Sequence, residues 1–373
     1  MLENGNIILA SRLTTDSESL GSNSQKSGEI TSISEILQGK NTVALGGHIR
    51  PDGDCVGSCV GLYLYIKKNY PQIEVHMYLE KVPPVFQLLV GVDRIKNQLD
   101  DLTKPYDLFI TLDCADEERL GFSRPAFLEA KMTFCIDHHV SNSGFADLNV
   151  ILPEASSTSE LVYDLLSQSE LIDDKEQRDF SHGKVTENVQ LKEVGDGIDL
   201  EIATALFLGI VHDTGVFRFS NTTAKTMEVA AALLRKGVKG DEIVEKTFYE
   251  RTYPQTKIIG KALAECELTL NGKCLYYVLT AKDMKEYNVT SSDLDGIVSQ
   301  LWLTKDIDVA IFMYELEGYD FKVSMRSSDQ VDVSLIAKKF GGGGHKKAAG
   351  FEMLESSEVI LQLVFDEVKR YLC

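Results

Sequence analysis

Short apolar runs alternate with helical patterns over the part of the chain that follows about residue 30. The apolar runs are NTVALGG, IEVHMYL, YDLFITLD and MTFCID. Between the first two runs lies CVGSCVGLYLYIKKN, in which apolar residues recur at helical spacing. This alternation is typical of parallel strands joined by crossover helices. We therefore predict an α/β fold whose N-terminal domain contains a parallel sheet.

Helical patterns then follow one another, with apolar residues at i, i+3 and i+4. They are SSTSELVYDLLSQSE, IDLEIATALFLGIV, TAKTMEVAAALLRKG and DEIVEKTFYER. Strand patterns return as KCLYYVLT, DVAIFMYELE and DFKVSMRSS, which predicts a smaller C-terminal α/β domain. The predicted organisation is a flexible extension at 1–29, a first domain at 30–245 with a charged, aperiodic insertion at 171–197, a connector helix at 246–264 and a second domain at 265–373.

Length and charge agree with two domains and limit the partners. The chain has 373 residues, of which 43% are hydrophobic, enough for two cores. Its 38 Lys and Arg against 57 Asp and Glu give a net charge of -19, which argues against binding to long nucleic acid or to an anionic membrane. An anionic ligand would therefore need a local positive site.

The cysteines and the hydropathy favour a cytoplasmic protein. The seven cysteines are scattered, odd in number and without a C-x-x-C pair, so they are expected to be reduced thiols. The N-terminal segment lacks a basic stretch followed by a long apolar one, and no run of about 18 apolar residues occurs. We expect a cytoplasmic protein with no membrane partner.

Acidic and imidazole side chains follow several of the predicted strands. In open α/β sheets, ligands bind beyond the carboxyl ends of the strands, so these side chains are expected to converge. A helical pattern, IDLEIATALFLGIV, ends directly before His212 and Asp213. The sequence therefore predicts one cluster at this edge of the sheet. The side chains that follow the strands are His48, Asp52, Asp54, Asp113, Asp137, His138 and His139.

Such a cluster predicts bound divalent cations, because carboxylates this close would otherwise repel one another and have raised pKa values. Oxygen-rich ligation with some imidazole suits Mn²⁺ or Mg²⁺ better than Fe²⁺ or Zn²⁺. There are enough ligands for two ions that activate water and clamp a phosphoryl group. Taken alone, Asp54 could be only a helix N-cap. Cys55 and Cys114 lie beside the candidate ligands and are expected to point elsewhere and pack.

A glycine-rich segment near the C-terminus predicts an anion site. Four consecutive glycines at 341–344 would let backbone amides approach a ligand. They are followed by His345 and preceded by a strand that carries Ser324 and Arg326. Between residues 321 and 350, six Lys or Arg against two Asp give a local charge of +4. Arg326 could bind a phosphate through two hydrogen bonds. The alternative is that the lysines form only a solvated helix face.

These motifs resemble those of the DHH phosphoesterases. The segments HIRPDGDCVGS, LDCAD, IDHHVSN and VHDTGVFRF look like the four motifs of that family, and GGGGHKKAAGF looks like the signature of the associated DHHA1 domain. The motifs stand in the family's order and cover nearly the whole chain from about residue 30. The compact two-domain layout is most similar to the type that acts as an oligoribonuclease and as a phosphatase of adenosine 3′,5′-bisphosphate (pAp).

The resemblance implies roles for the candidate residues. Asp113 would bridge two ions, His139 would assist at the scissile phosphate as an electrostatic partner or acid, and Arg119 would contact phosphate. The second domain would bind the end of the nucleotide that is not hydrolysed. The implied metal ligands are His48, Asp52, Asp54, Asp113, His138 and Asp213, and the implied substrate-binding residues are Arg119, Ser324, Arg326, Gly343, Gly344 and His345.

The expected function is metal-dependent hydrolysis of short single-stranded RNA to mononucleotides and removal of the 3′-phosphate of pAp, with Mn²⁺ as the first choice of metal. A homodimer is implied by the resemblance alone. A phosphodiesterase for cyclic or linear dinucleotides would share the metal site. A RecJ-type exonuclease should carry a further nucleic-acid domain, and a family II pyrophosphatase should end differently. A catalytically silent nucleotide-binding module should lack one or more of the six ligands, and all are present.

Overall fold

The computed structural model describes residues 32–100, 104–167, 197–316 and 320–372. The chain divides into two units, Met1–Tyr249 and Glu250–Cys373. The predicted α/β class is confirmed, since the first unit contains a parallel sheet and the second a mixed one. The predicted extension at 1–29 lies outside the described residues, and so does the insertion at 171–197 except for its last residue.

The described part of the first unit contains six strands, β1 (Thr42–Gly46), β2 (Glu74–Tyr78), β3 (Ile95–Lys96), β4 (Leu108–Leu112), β5 (Thr133–Asp137) and β6 (Leu148–Ile151). All are parallel, in the order β3-β2-β1-β4-β5-β6. The strand order changes direction between β1 and β4, so the carboxyl ends of these two neighbours form the switch point at which ligands bind in such sheets. β3 and β6 were not predicted, because they are too short to show a pattern.

Apolar side chains bury both faces of this sheet. Val43 and Leu45 of β1 belong to one core, and Ala44 between them belongs to the core on the other face. A strand buried on both faces reads as a continuous apolar run, which explains LFITL in β4. The α-helices in the described part of the unit are α1 (Ile33–Leu37), α2 (Gly53–Asn69), α3 (Arg124–Glu129), α4 (Thr158–Ser167), α5 (Leu200–Asp213), α6 (Ala224–Arg235) and α7 (Gly240–Val244).

Glycines allow α2 and α5 to pack at very short distance. A Cβ atom on Gly57 would lie 2.5 Å from the Ala205 carbonyl oxygen and 2.8 Å from the Gly209 nitrogen. A Cβ atom on Gly209 would lie 2.7 Å from Asp54 Oδ1. Because the start of α2 meets the end of α5 in this contact, the glycines bring Asp54 next to the end of α5, where Asp213 lies.

The second unit also alternates strands and helices. Its strands are β7 (Glu267–Thr269), β8 (Cys274–Leu279), β9 (Val309–Glu315), β10 (Asp320–Ser327), β11 (Gly343–His345) and β12 (Ala348–Leu354), in the order β11-β12-β10-β9-β8-β7. Its helices are α8 (Tyr253–Glu265), α9 (Ala281–Tyr287), α10 (Ile297–Trp302), α11 (Val333–Lys339) and α12 (Ser357–Lys369). The predicted connector at 246–264 therefore overlaps with α8, the first helix of this unit. Among the described helices, none combines the length and apolar character needed to span a bilayer.

Candidate active site

Side chains from three strand ends and two helix ends meet at the switch point of the first sheet. His48 lies just beyond β1, Asp113 directly follows β4, and His138 directly follows β5. Asp54 is in the first turn of α2, and Asp213 is the last residue of α5. The structure thus gathers into one cluster the six side chains predicted as metal ligands, His48, Asp52, Asp54, Asp113, His138 and Asp213.

Asp113 lies at the centre of this cluster. Its Oδ2 is 3.5 Å from His48 Nε2, and its Oδ1 is 3.6 Å from His138 Nε2. The backbone of Asp113 is left-handed (φ 54), a conformation that is uncommon for a residue with a side chain and that occurs often at functional sites. The two carboxylate oxygens therefore face two different groups of donors.

The two groups of donors lie on either side of Asp113. In one group, His48 Nε2 is 3.7 Å from Asp52 Oδ1. In the other, His138 Nε2 is 3.4 Å from Asp213 Oδ2, and donor atoms of His138, Asp213 and Asp54 all lie within 4.8 Å of one another. Each group combines carboxylate oxygens with one imidazole, the donor chemistry that borderline and hard divalent cations accept.

The pKa values of two acids show the repulsion that the sequence predicts. Burial, followed by the charges of Asp113 and Asp213, raises the pKa of Asp54 well above its ordinary value. Burial and the charge of Asp113 raise the pKa of Asp213 to about 7. A divalent cation would relieve this repulsion, because it favours the ionised form of each carboxyl group. The cluster therefore fits bound metal ions by its donor atoms and by its electrostatics.

His48 is oriented toward the acids by the backbone of the next residue. Its Nδ1 lies 2.8 Å from the Ile49 carbonyl oxygen, so Nε2 is the atom that faces Asp52 and Asp113. Burial opposes protonation of this ring, but Cys55 and the two carboxylates outweigh it and raise the pKa of His48 to about 12. Burial likewise opposes ionisation of Asp52, and the hydrogen bond with His48 outweighs it, which lowers the pKa of Asp52 to about 2.

The helix-cap role that the sequence left open for Asp54 belongs to Asp52. Asp52 Oδ1 accepts hydrogen bonds from the backbone nitrogens of Asp54 and Cys55, both at 3.1 Å, and so caps α2. Asp54 is instead 1% exposed and is held by the first turn of α4, because Thr158 N donates to its Oδ2 at 2.6 Å and Ser159 N donates to its Oδ1 at 2.9 Å. A helix N-terminus thus orients and stabilises this carboxylate.

The expectation that Cys55 points away from the cluster is wrong. Its sulfur lies within 4.8 Å of donor atoms of His48 and Asp113. Burial raises the pKa of the Cys55 thiol well above its usual range. Cys114 does turn elsewhere, since its Sγ donates to the Asp116 carbonyl oxygen at 3.0 Å.

His139 is fixed by a buried carboxylate. Its Nδ1 donates to Asp137 Oδ1 at 2.8 Å, and Asn142 Nδ2 donates to Asp137 Oδ2 at 2.7 Å. The hydrogen bond with Asp137, opposed by burial, raises the pKa of His139 to about 9. Arg119 is half-buried, and its positive charge opposes this effect by lowering the pKa of His139. His139 lies at the cluster, with Nδ1 3.5 Å from Asp113 Oδ1, and the contact of Arg119 with phosphate stays a prediction.

Sequence reasoning missed several residues that hold the predicted ligands. Thr158 and Ser159 bind Asp54 as described, and Asn221 Nδ2 lies 3.4 Å from Asp213 Oδ2 and 3.0 Å from the Ser156 carbonyl oxygen. The segment SSTSE held a signal, because a run of small hydroxyl residues before an amphipathic helix is typical of a helix N-terminus. Its members from Ser156 to Ser159 are all fully buried.

Four of the five predicted residues of the second unit share one face of its sheet, and Gly344, which pairs with Ala349, lies at a position of the other face. Ala348 of β12 pairs with Arg326 of β10 on one side and with His345 of β11 on the other. Gly350 pairs in the same way with Ser324 and with Gly343. Residues directly opposite each other in antiparallel strands point to the same face. The result is a shallow surface floored by Ala348 and Gly350 and bordered by the predicted Ser324, Arg326, Gly343 and His345.

Arg326 carries a charge that no described carboxylate neutralises at close range. Its guanidinium donates to the Met325 carbonyl oxygen at 3.0 Å, and burial alone lowers its pKa. The glycines differ from the expected loop of amides. Gly342 N donates to the Ala337 carbonyl oxygen at 2.9 Å, and Gly343 and Gly344 lie in an edge strand. Gly344 is required there, because its φ is 137 and a Cβ would lie 2.5 Å from the Ala348 oxygen.

The fold and the cluster agree with comparisons to known proteins. Residues 42–210 match the N-terminal domain of the DHH family, and residues 271–371 match the DHHA1 domain. The chain therefore belongs to the DHH family and carries a DHHA1 domain. The first match contains every predicted metal ligand except Asp213, which lies just beyond its end.

Curated relatives align with most of the chain. A bifunctional oligoribonuclease and PAP phosphatase NrnA of Thermus thermophilus is 28% identical over 345 residues, which are 91% of this chain and 94% of the relative. The Bacillus subtilis protein of the same name is 28% identical over 83% of this chain and 88% of its own length. The crystal structure of an exopolyphosphatase-related protein from Bacteroides fragilis has a TM-score of 0.78 at 21% identity, covers 91% of this chain and 95% of its own, and shows the same fold.

Proposed function

We propose that this protein is a metal-dependent phosphoesterase that hydrolyses short oligoribonucleotides to mononucleotides and removes the 3′-phosphate of pAp. The observation that carries the proposal is the cluster around Asp113, whose two oxygens face two groups of nitrogen and oxygen donors. The names of the Thermus and Bacillus relatives support the choice of substrates, because these proteins align with the chain over most of both lengths.

Two divalent ions are the proposed cofactors, with Mn²⁺ as the first choice and Mg²⁺ as the second. When bound, such ions acidify water and neutralise charge that develops on a phosphoryl group. Asp113 would contact both ions, since each of its oxygens faces one group of donors. The first group is His48, Asp52 and Asp113, and the second is Asp54, Asp113, His138 and Asp213.

His139 and Arg119 would act on the phosphate directly. Because Asp137 occupies His139 Nδ1, Nε2 is the ring atom that would donate a hydrogen bond to a phosphate or leaving-group oxygen. The guanidinium of Arg119 would bind a phosphate oxygen beside it. Asp137 and Asn142 hold the imidazole in one orientation, so this donor is already placed when the substrate binds.

The second unit would bind the end of the substrate that is not hydrolysed. Arg326 offers a charge that no described carboxylate neutralises at close range, and His345 lies across Ala348 on the same face. A phosphate between these two side chains would be bound by charge-assisted hydrogen bonds. The net charge of -19 disfavours long strands, because the many phosphates of a long strand would be repelled.

A test of this function compares several substrates in the presence of Mn²⁺. These are pAp, a diribonucleotide, a long RNA, cyclic di-AMP and pyrophosphate. Inorganic phosphate from pAp together with mononucleotides from the dimer, both lost on addition of EDTA, is the expected result. Asp113→Asn should abolish both activities, while Asp93→Asn, at an exposed acid outside the cluster, should leave them unchanged. Faster opening of cyclic di-AMP, or nucleotide binding without turnover of any substrate, would contradict the proposal.

A homodimer in the cytoplasm completes the proposal. The dimer rests on the resemblance to the family. The cytoplasm rests on the reduced cysteines, since the cysteines among the described residues form no disulfide. Light scattering on the purified chain should give twice the mass of 41.4 kDa. A single-chain mass at all protein concentrations would contradict the dimer and leave the proposed chemistry unaffected.

A further inference from the structure

Phe219 is a large apolar side chain that remains exposed beside the cluster. It is 57% exposed and lies in the loop that directly follows Asp213. Two other apolar residues of this loop, Val216 and Phe217, turn inward and pack against the core of the first unit. Of the segment VHDTGVFRF, the cluster uses only Asp213. The outward position of Phe219 is therefore not explained by packing.

The ring of Phe219 lies flat on a glycine. A Cβ atom on Gly215 would be 2.4 Å from Cζ of the ring and 2.6 Å from both Cε atoms. If this Cβ lay in the plane of the ring, beyond its edge, its distances to the two Cε atoms would be clearly longer than its distance to Cζ. The three distances are instead nearly equal, so Gly215 lies under the face of the ring. One face of the ring is thus covered by Gly215. Because Gly215 covers one face, we assign the exposed fraction of Phe219 to the opposite face and the edge.

The loop that presents this ring is ordered by its own hydrogen bonds. The carbonyl oxygen of Thr214 accepts from Arg218 N at 2.9 Å and from Phe219 N at 3.0 Å. Gly215, Val216 and Phe217 are all left-handed, with φ values of 55, 61 and 61. A ligand that stacks on the ring therefore meets a platform that is already in place and does not have to order the loop.

The same loop is tied to the cluster at both ends. Thr214 directly follows Asp213, and Asn221 returns to it, with Nδ2 3.2 Å from the Asp213 carbonyl oxygen and 3.4 Å from its Oδ2. Phe219 lies between these two anchors. Arg218, beside it, is also exposed and adds a positive charge for a phosphate. Because the loop is anchored to Asp213 through Thr214 and Asn221, its ring stays on the segment that borders the cluster.

We propose that Phe219 is the stacking platform for the nucleobase of the nucleotide whose phosphate reacts. This inference rests on the proposed function. Stacking on an aromatic ring is tolerant of base identity, because every base has a π-face. The subsite would therefore accept purines and pyrimidines alike, which suits an enzyme that degrades short RNA of any sequence. A substrate that lacks this base should lose roughly 5- to 150-fold in kcat/KM.

The test measures the coupling between Phe219 and one base of a diribonucleotide. The substrates are the intact dimer and two dimers that each lack one base. The wild-type enzyme should lose activity with one of the two abasic dimers by the factor above, and Phe219→Ala should cleave that dimer and the intact one at equal rates. Phe219→Tyr should keep the difference, whereas Phe219→Leu should lose it. Met227→Ala, at a half-exposed apolar position of α6, is the matched control and should behave as the wild type.

Binding gives a second readout that does not depend on turnover. Calorimetric titration with a non-hydrolysable dinucleotide should show weaker binding to Phe219→Ala, with a dissociation constant larger by a similar factor. If the wild type hydrolyses no RNA dimer, the proposed function fails, and the titration still tests the stacking. If Phe219→Ala keeps the full effect of the missing base, the stacking is refuted while the function stands. If Phe219→Ala changes the oligomeric mass and leaves the effect of the missing base unchanged, the ring contacts another chain. That result would overturn the proposal.

Discussion

Replacing Asn142 by alanine should slow catalysis through Asp137 and His139. Asn142 Nδ2 donates to Asp137 Oδ2 at 2.7 Å and to the Cys114 carbonyl oxygen at 3.1 Å. Asp137 is fully buried, and its other oxygen accepts from His139 Nδ1 at 2.8 Å. The variant removes a donor from an ionised buried carboxylate and loosens the group that orients the imidazole.

The size of the effect follows from these contacts. A hydrogen bond to a charged group contributes about 1.5–3 kcal/mol, so the free energy of unfolding should fall by roughly that amount. Loss of a partner that orients a functional imidazole typically costs about 10- to 100-fold in activity. We therefore expect kcat of Asn142→Ala to fall by roughly 10-fold or more, with a smaller change in KM. Urea unfolding and steady-state kinetics with pAp measure the two quantities.

Asn149 of β6 offers a matched control. It is 1% exposed, its Nδ2 donates to the Ala146 carbonyl oxygen at 2.8 Å, and its Oδ1 accepts from Ala146 N at 3.3 Å. Asn149→Ala should lose about 1–3 kcal/mol of stability for the same physical reason, but its kcat should match the wild type. If the two variants lose kcat equally, the orienting role of Asn142 is refuted and its contribution is to stability alone.

Three further predictions concern substrate binding, pH and helix packing. Arg326→Ala should raise KM for pAp by roughly 10- to 100-fold, because a charge-assisted hydrogen bond is lost, and an equal fall in kcat would contradict the assignment of binding to the second unit. Since burial and neighbouring acids raise the pKa of Asp213 from 3.8 to about 7, the folded metal-free protein binds more protons than the unfolded chain in that window. Its melting temperature should therefore fall as the pH rises from about 4 to 7. Added Mn²⁺ should raise it more at about pH 8 than at about pH 5, and a pH-independent gain would argue against ligation by these carboxylates. Gly57→Ala should destabilise the protein by about 1–3 kcal/mol through overpacking against Ala205 and should weaken Mn²⁺ binding. Gly260→Ala, in an open helical position, should instead stabilise it by about 0.5–1 kcal/mol, and similar effects of the two changes would refute the close contact as the cause.

The strands and helices with a regular apolar pattern could be predicted from the sequence. β1, β4 and β5 are continuous apolar runs, and the acids that follow them converge because parallel strands end at one edge. Position alone gathers the candidate side chains, and the resemblance to the DHH family selects the six implied metal ligands among them. Two strands carry no periodic signal, because β3 has only two residues and β11 consists of two glycines and a histidine. Each forms because a neighbouring strand pairs with it.

The contacts that hold the ligands in place could not be predicted in the same way. Asp54 and Thr158 are separated by 104 residues in sequence, and only the tertiary fold brings them together. Asn142 and Asn221 each support an acid from a loop whose course is set by its own turns. The nearness of the Cys55 sulfur to His48 and Asp113 joins the first turn of α2 to the ends of two strands, and no local pattern shows such a contact.

The two donors that hold Asp54 belong to the backbone of α4 and not to any side chain. An alanine scan through Ser156–Ser159 would therefore leave both of them in place and would understate what this segment does. Proline is the substitution that removes such a donor, and at Thr158 it would stand at the first position of a helix, where its ring is usually tolerated. The contact with Asp54 therefore does not depend on the side chain at position 158, whereas the Thr158 hydroxyl makes a separate contact, a hydrogen bond to Asp113 Oδ1 at 3.3 Å, that proline or alanine would remove.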